Sequence, residues 1–234
     1  MKKNRLLEID FIRGLAIIGM VIFHIFYASD FYGFLDLQMR STSWNVLSRS
    51  VQFTFLTLVG ISLALSSKRN KDLLLRHWRK GFMILMFGLG ITIVTTLAIN
   101  DLAVKFGILH LIGASILILT PFVRHKYISL AISIAALILA SKIRLVTINT
   151  LPAYILGYGT TVFSAVDYFP IFPWIGLPAF GIFLGHYLYP WKSPKISPKN
   201  LIVKAGQKSL LIYIMHVPII VSVLFLGKFL IGLI

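Results

Sequence analysis

No cysteine occurs anywhere in these 234 residues, so neither a disulfide framework nor a thiolate metal site is open to the chain. Acidic residues are nearly as scarce, seven against 23 lysines and arginines. Charged residues of all types make up 13% of the sequence, where an ordinary soluble domain carries about 25%. Also missing are the short signatures of common chemistries. There is no HxxxH or HExxH pair for zinc, no GxSxG nucleophile elbow, no phosphate loop and no GxGxxG turn. A metal site is therefore not expected. What is present is apolar: 58% of residues are hydrophobic and the mean hydropathy is +0.88. A fold of this length has too little interior to hide that surface, so much of it must face lipid. The even spread of the apolar runs predicts one helical domain over 1–234.

A bilayer core requires about 20 apolar residues of helix. Seven segments supply this or approach it: Ile9–Tyr27, Val46–Ser66, Gly81–Ile99, Phe106–Val123, Tyr127–Ser141, Ile171–Tyr189 and Ser209–Leu226. The basic run MKKNR leads into the first of them with no small-residue cleavage site beyond it, which reads as a retained span rather than a signal peptide. With the N-terminus in the cytoplasm, sixteen basic residues fall on inner loops, five on outer loops, and Arg13 and Arg49 within spans. The positive-inside rule expects such an asymmetry. An eighth span at Leu151–Val166 would reduce it to twelve inside against nine outside, so 145–168 is expected to be an outer loop, re-entrant or interfacial. Its Pro152, Gly157 and Gly159 suit irregular backbone, which a membrane tolerates against protein or water. Topology thus accounts for the net charge of +16, and nucleic acid is not an expected partner. Gly88, Gly90 and the Gly181-x-x-x-Gly185 pair offer faces for close helix packing. The expected fold is an all-α integral membrane protein of the plasma membrane, a bundle of about seven transmembrane helices.

Ionisable groups inside spans cost about 2.5–3.5 kcal/mol each on insertion scales and usually face a cavity or a partner. The first span carries Asp10, Arg13 and His24. Asp10 and Arg13 stand at i,i+3 and can pair. Arg13 and His24 are eleven residues apart, close to three turns, so they share a face and lie about 16 Å apart along the axis. Asp30, Arg49, Gln52, His110 and Asp167 fall toward the outer side, at a depth where they could line one polar cavity. His216 lies two residues before Pro218 in the last span, where a proline frees backbone carbonyls. The plain readings are an anchoring ion pair for Asp10–Arg13, capping or packing for single outer residues, and a kink-satisfying role for His216.

The ordered motifs resemble a known family. The opening Glu8-Ile-Asp-Phe-Ile-Arg13 through His24 is similar to the start of the heparan-α-glucosaminide N-acetyltransferase catalytic-domain family, whose small prokaryotic members consist of the membrane domain alone. The spacing from Arg13 to His24 also resembles the arginine–histidine signature of the wider transmembrane acyltransferase group. Phe106–Gly113, Asp167–Trp174 and Ile212–Pro218 match the later motifs in order. The animal lysosomal enzymes carry a lumenal domain that is absent here. They lack a histidine at the position of His24 and place one in the first outer loop, where this chain has Ser41, so heparan specificity does not transfer and the catalytic assignment of His24 rests on the wider group. The resemblance implies an enzyme moving an acetyl or other acyl group from cytoplasmic acetyl-CoA to an amine or hydroxyl, probed most naturally on a glycan. His24 would be the base or acyl carrier, oriented by Asp30 or Asp167, with Arg49 or His110 at the oxyanion. Arg13, Asp10 and His216 would serve the CoA, and Arg49, Gln52 and Trp174 the acceptor. Expected partners are membrane lipids, acyl-CoA and a small acceptor, and a homodimer is left open. The rival reading is a permease or channel whose intramembrane charges line a path without chemistry.

Overall fold

The computed structural model describes residues 6–39, 41–68, 73–143, 145–161, 165–188 and 196–230. The basic run 1–5, Arg40, the basic loop 69–72, Arg144 and the segment 189–195 with Lys192 and Lys195, on which part of the charge argument rests, lie outside the described residues.

The protein is an all-α membrane protein. Its helices are α1 (Leu7–Phe31), α2 (Thr42–Ser67), α3 (Leu73–Ile99), α4 (Ile108–Leu119), α5 (Lys126–Ile143), α6 (Leu151–Leu156), α7 (Ile171–Trp174), α8 (Gly176–Tyr187), α9 (Leu201–Gln207) and α10 (Ser209–Leu230). Five are long and apolar enough to cross a bilayer: α1, α2, α3, α5 and α10. The other two expected spans correspond to shorter apolar helical stretches, Ile108–Phe122 and Ile171–Tyr187. Among the described residues of 145–168 the one helix is the six-residue α6, which is about 9 Å long and cannot cross a core of about 30 Å. Pro152 fits its first turn, where no intrahelical N–H is required, and Gly157 ends it at φ +107°, a left-handed conformation that glycine adopts without strain.

The chain divides into two compact units. The first comprises 1–55 and 191–234, and so contains α1, the opening turns of α2, α9 and α10. Its closest approach is between α1 and α9. A methyl group at Gly14 would run into the Ile202 carbonyl, and one at Gly206 would run into the Asp10 carbonyl. Two glycines therefore let the two backbones touch. On α10, Val223, Phe229 and Leu230 are all exposed, the signature of a helix whose apolar side chains meet lipid rather than protein.

The second unit, 56–190, holds the rest of α2 and α3 through α8. Here α3 lies along α4, with Gly113 against the Leu85 side chain and the Gly81 carbonyl. The Gly181-x-x-x-Gly185 pair packs as expected: Gly181 against the Thr57 carbonyl and Gly185 against Ala64, with Gly60 meeting Pro178 from the α2 side. Gly90 faces open space instead, on the lipid-facing side of α3 where Leu97 is 84% exposed.

Candidate functional site

Each unit contains a polar centre that its helices must satisfy internally, because lipid offers no hydrogen bonds.

In the first unit, Asp10 is 2% exposed on α1. A bare carboxylate so placed would cost several kcal/mol, and pairing offsets it. Arg13 Nη1 donates to Asp10 Oδ1 at 3.0 Å, and Gln207 Nε2 of α9 donates to Oδ2 at 3.4 Å. The expected i,i+3 pair is formed, and it also fastens α1 to α9.

Toward the other end of α1, His24 Nδ1 lies 2.9 Å from the Met20 carbonyl. A carbonyl can only accept, so Nδ1 carries the hydrogen and the neutral ring keeps a bare lone pair on Nε2. The group that orients His24 is thus a main-chain carbonyl one turn below it. His216 on α10 repeats the arrangement. Its Nδ1 donates to the Tyr213 carbonyl at 2.6 Å, leaving Nε2 bare. The two imidazoles meet edge to face, ring centroids 4.7 Å apart and planes at 85°. His216 is 6% exposed, and its Nε2 has no hydrogen-bond partner among the described residues.

Three more expected site residues fall in this unit. Asp30 Oδ1 accepts from the Leu37 N–H at 2.8 Å and closes the turn after α1. Gln52 Nε2 donates to Ser48 Oγ at 2.9 Å. Arg49 is exposed and lines an open groove of about 270 Å³ with Thr42, Asn45, Val46, Ser50 and Phe53.

The second unit builds its centre around irregular backbone, residues 103–107 before α4. Thr92 Oγ1 of α3 donates to the Val104 carbonyl at 2.6 Å, and Thr95 Oγ1 accepts from the Val104 N–H at 3.0 Å. The Gly107 N–H donates to His110 Nδ1 at 3.2 Å. That nitrogen is therefore the bare one, so the hydrogen sits on Nε2, which points at Thr92 Oγ1, 3.3 Å away. His110 is 4% exposed, and both its nitrogens are used by the fold. Asp167 Oδ2 accepts from the Ile108 N–H at 3.1 Å, placing a carboxylate at the positive end of α4. Next to it, the Phe169 N–H donates to the Phe106 carbonyl at 3.0 Å, and Tyr168 donates its hydroxyl to the Tyr154 carbonyl at 2.6 Å with the two rings stacked. Burial pushes the Tyr154 phenol well above the ordinary tyrosine range, with Tyr168 and Asp167 adding to it, so it stays protonated. Trp174 is buried with its ring 4.8 Å from Phe169.

Sequence reasoning missed Thr92, Thr95 and Tyr154, which hold the second centre together. Threonines three apart on one helix face were the available signal. Their partner, the irregular backbone at Val104, twelve and nine residues on, has no sequence signature.

A sequence model of one family, described as "Heparan-alpha-glucosaminide N-acetyltransferase, catalytic", matches residues 5–218. No curated protein and no solved structure matches.

Proposed function

The chain belongs to the heparan-alpha-glucosaminide N-acetyltransferase catalytic family, and from that premise we propose that it takes acetyl from cytoplasmic acetyl-CoA and delivers it to an amine or hydroxyl acceptor, most simply a glycan, across the membrane. The observation that carries this reading is His24. With Nδ1–H held by the Met20 carbonyl, its Nε2 is the free end of the ring, and a neutral imidazole is the side chain best suited to accept a proton near neutral pH.

The acceptor nitrogen or oxygen attacks the thioester carbonyl while His24 Nε2 takes its proton. The new bond to carbon forms, the carbon–sulfur bond breaks, and CoA leaves as thiolate, which recovers the proton from the imidazolium. Such general-base help contributes about 10²–10⁴ in rate. Arg13, about 16 Å along α1, supplies a cation for the CoA phosphates while keeping its bond to Asp10. The long, thin pantetheine arm suits that separation. Arg49 and Gln52 serve the acceptor side, with the α2 groove as its approach.

The test uses the full chain purified in detergent. Acetyl-CoA with an amino-sugar acceptor is expected to release free CoA thiol. Acetyl-CoA alone is expected to raise stability by RT ln(1 + [L]/Kd), about 2.7 kcal/mol at a hundredfold excess over Kd, and Arg13→Ala to abolish the rise. Absence of both thiol release and stabilisation at millimolar acetyl-CoA overturns the reading in favour of a permease.

A further inference from the structure

We infer that Lys126, held between Tyr127 and Tyr187, binds the headgroup phosphate of an anionic phospholipid. The site lies in the second unit and takes no part in the acyl chemistry proposed above.

Three apolar helical stretches of this unit have ends that are tied together. The α5 helix begins at Lys126, the stretch Ile171–Tyr187 ends with α8, and α2 ends one residue before Lys68. His186 Nε2 donates to the Val123 carbonyl at 2.9 Å, and Lys68 Nζ donates to the His186 carbonyl at 3.3 Å. Ends of spans lie at the headgroup level, where lysines and tyrosines are common and by themselves mark nothing more than an interface.

Lys126 differs from an ordinary interfacial lysine in being fixed. Its ammonium stands 4.6 Å from the centre of the Tyr187 ring and 4.9 Å from that of Tyr127. The rings are 56% and 67% exposed, so the group they hold is open to the surroundings. A surface lysine must give up rotamer freedom on binding an anion, and a cation already held by two π faces has less to lose. An ammonium has three N–H donors, so two rings leave at least one for an oxyanion. The described carboxylates of the unit, Asp101 and Asp167, follow α3 and cap the start of α4, at its other end. Among the described residues of this unit, therefore, no acid neutralises Lys126.

Phosphate is the anion that this depth of a bilayer supplies. Exposed Arg124 and Lys68, close to Lys126 and Tyr187 through the bonds above, decide which lipid brings it. A choline headgroup carries a second cation toward them, and the rings that could hold a choline are already filled by Lys126. Phosphatidylglycerol, whose one charge is its phosphate, meets neither obstacle. With the N-terminus inside, the leaflet concerned is the cytoplasmic one, where anionic lipids attract basic residues by about fivefold each.

The experiment is native mass spectrometry of the full chain in detergent, titrated with phosphatidylglycerol or phosphatidylcholine. Phosphatidylglycerol is expected to bind at least about tenfold more tightly. Lys126→Gln should weaken it by about fivefold and Tyr187→Leu by about twofold to fivefold, while Arg79→Gln, which removes an exposed cation of α3 that has no such rings, should change it less than twofold. Equal binding of the two lipids overturns the proposal. So does an equal loss in Arg79→Gln and Lys126→Gln, which would mean a diffuse basic surface rather than a site. Displacement of phosphatidylglycerol by millimolar inorganic phosphate or CoA assigns the site to soluble phosphates and overturns the lipid. Thermal unfolding reports whether each variant is folded; if Lys126→Gln is not, unchanged affinity in Tyr187→Leu overturns the proposal.

Discussion

His216 in one unit and His110 in the other are almost equally buried, 6% and 4% exposed, and both sit on apolar helices. They differ in what the fold does with their nitrogens. His110 receives the Gly107 N–H on one nitrogen and meets Thr92 with the other, so it braces the irregular backbone that precedes α4. His216, like its neighbour His24, gives one nitrogen to a main-chain carbonyl and keeps the other bare. Burial and residue type are the same, yet one ring is fully employed as structure while the other retains chemical capacity. In a membrane interior, counting donors against acceptors separates a brace from a reactive group where position cannot.

The strongest challenge to this contrast is His24→Gln. It should lower CoA release by about 10²–10⁴ with the thermal midpoint in detergent unchanged, and near-normal turnover would remove His24 as the base. His110→Leu should show the reverse signature. It strands the Gly107 N–H, costing about 1–3 kcal/mol of stability by thermal or denaturant unfolding, while turnover per folded molecule falls less than tenfold. A hundredfold activity loss in a fully stable His110→Leu would erase the distinction between the two centres. Gly88→Ala sharpens it further. The new methyl would stand 3.1 Å from the His110 ring, which cannot retreat without giving up its bonds, so a loss of about 1 kcal/mol is expected. Gly90→Ala, two residues on and facing open space, should be neutral or gain up to about 1 kcal/mol from helix propensity. Asp167→Asn is the mildest change: an amide oxygen still accepts from the Ile108 N–H while the charge at the head of α4 is lost, about 0.3–1 kcal/mol.

The long helices were legible because lipid imposes a length and a composition on any span, and α1, α2, α3, α5 and α10 carry both in their sequence. The Asp10–Arg13 pair was legible because helical spacing alone brings i and i+3 together. The meeting of His24 with His216 was not, since it joins helices almost two hundred residues apart and depends on how their faces pack. Nor was the tautomer of any histidine legible, because that depends on which backbone group lies within 3 Å of the ring. The sequence reading offered Asp30 or Asp167 as an orienting carboxylate for His24; what it could not show is that each also accepts a backbone N–H, from Leu37 and from Ile108. Gly88 and Gly90 looked alike as packing positions, and only the first has a neighbour.

The contact of α1 with α9 through Gly14 and Gly206 has a bearing on the genetics of this protein. Any side chain at either position collides with a main-chain carbonyl, and main chain cannot rotate out of the way as a rotamer can. In a screen of every single-residue change for activity, substitutions at codons 14 and 206 would lower the score as those at codon 24 do, but by a different route. The two kinds of loss separate by abundance. Alleles at the glycines deplete protein from the membrane, while an inert His24 allele accumulates normally.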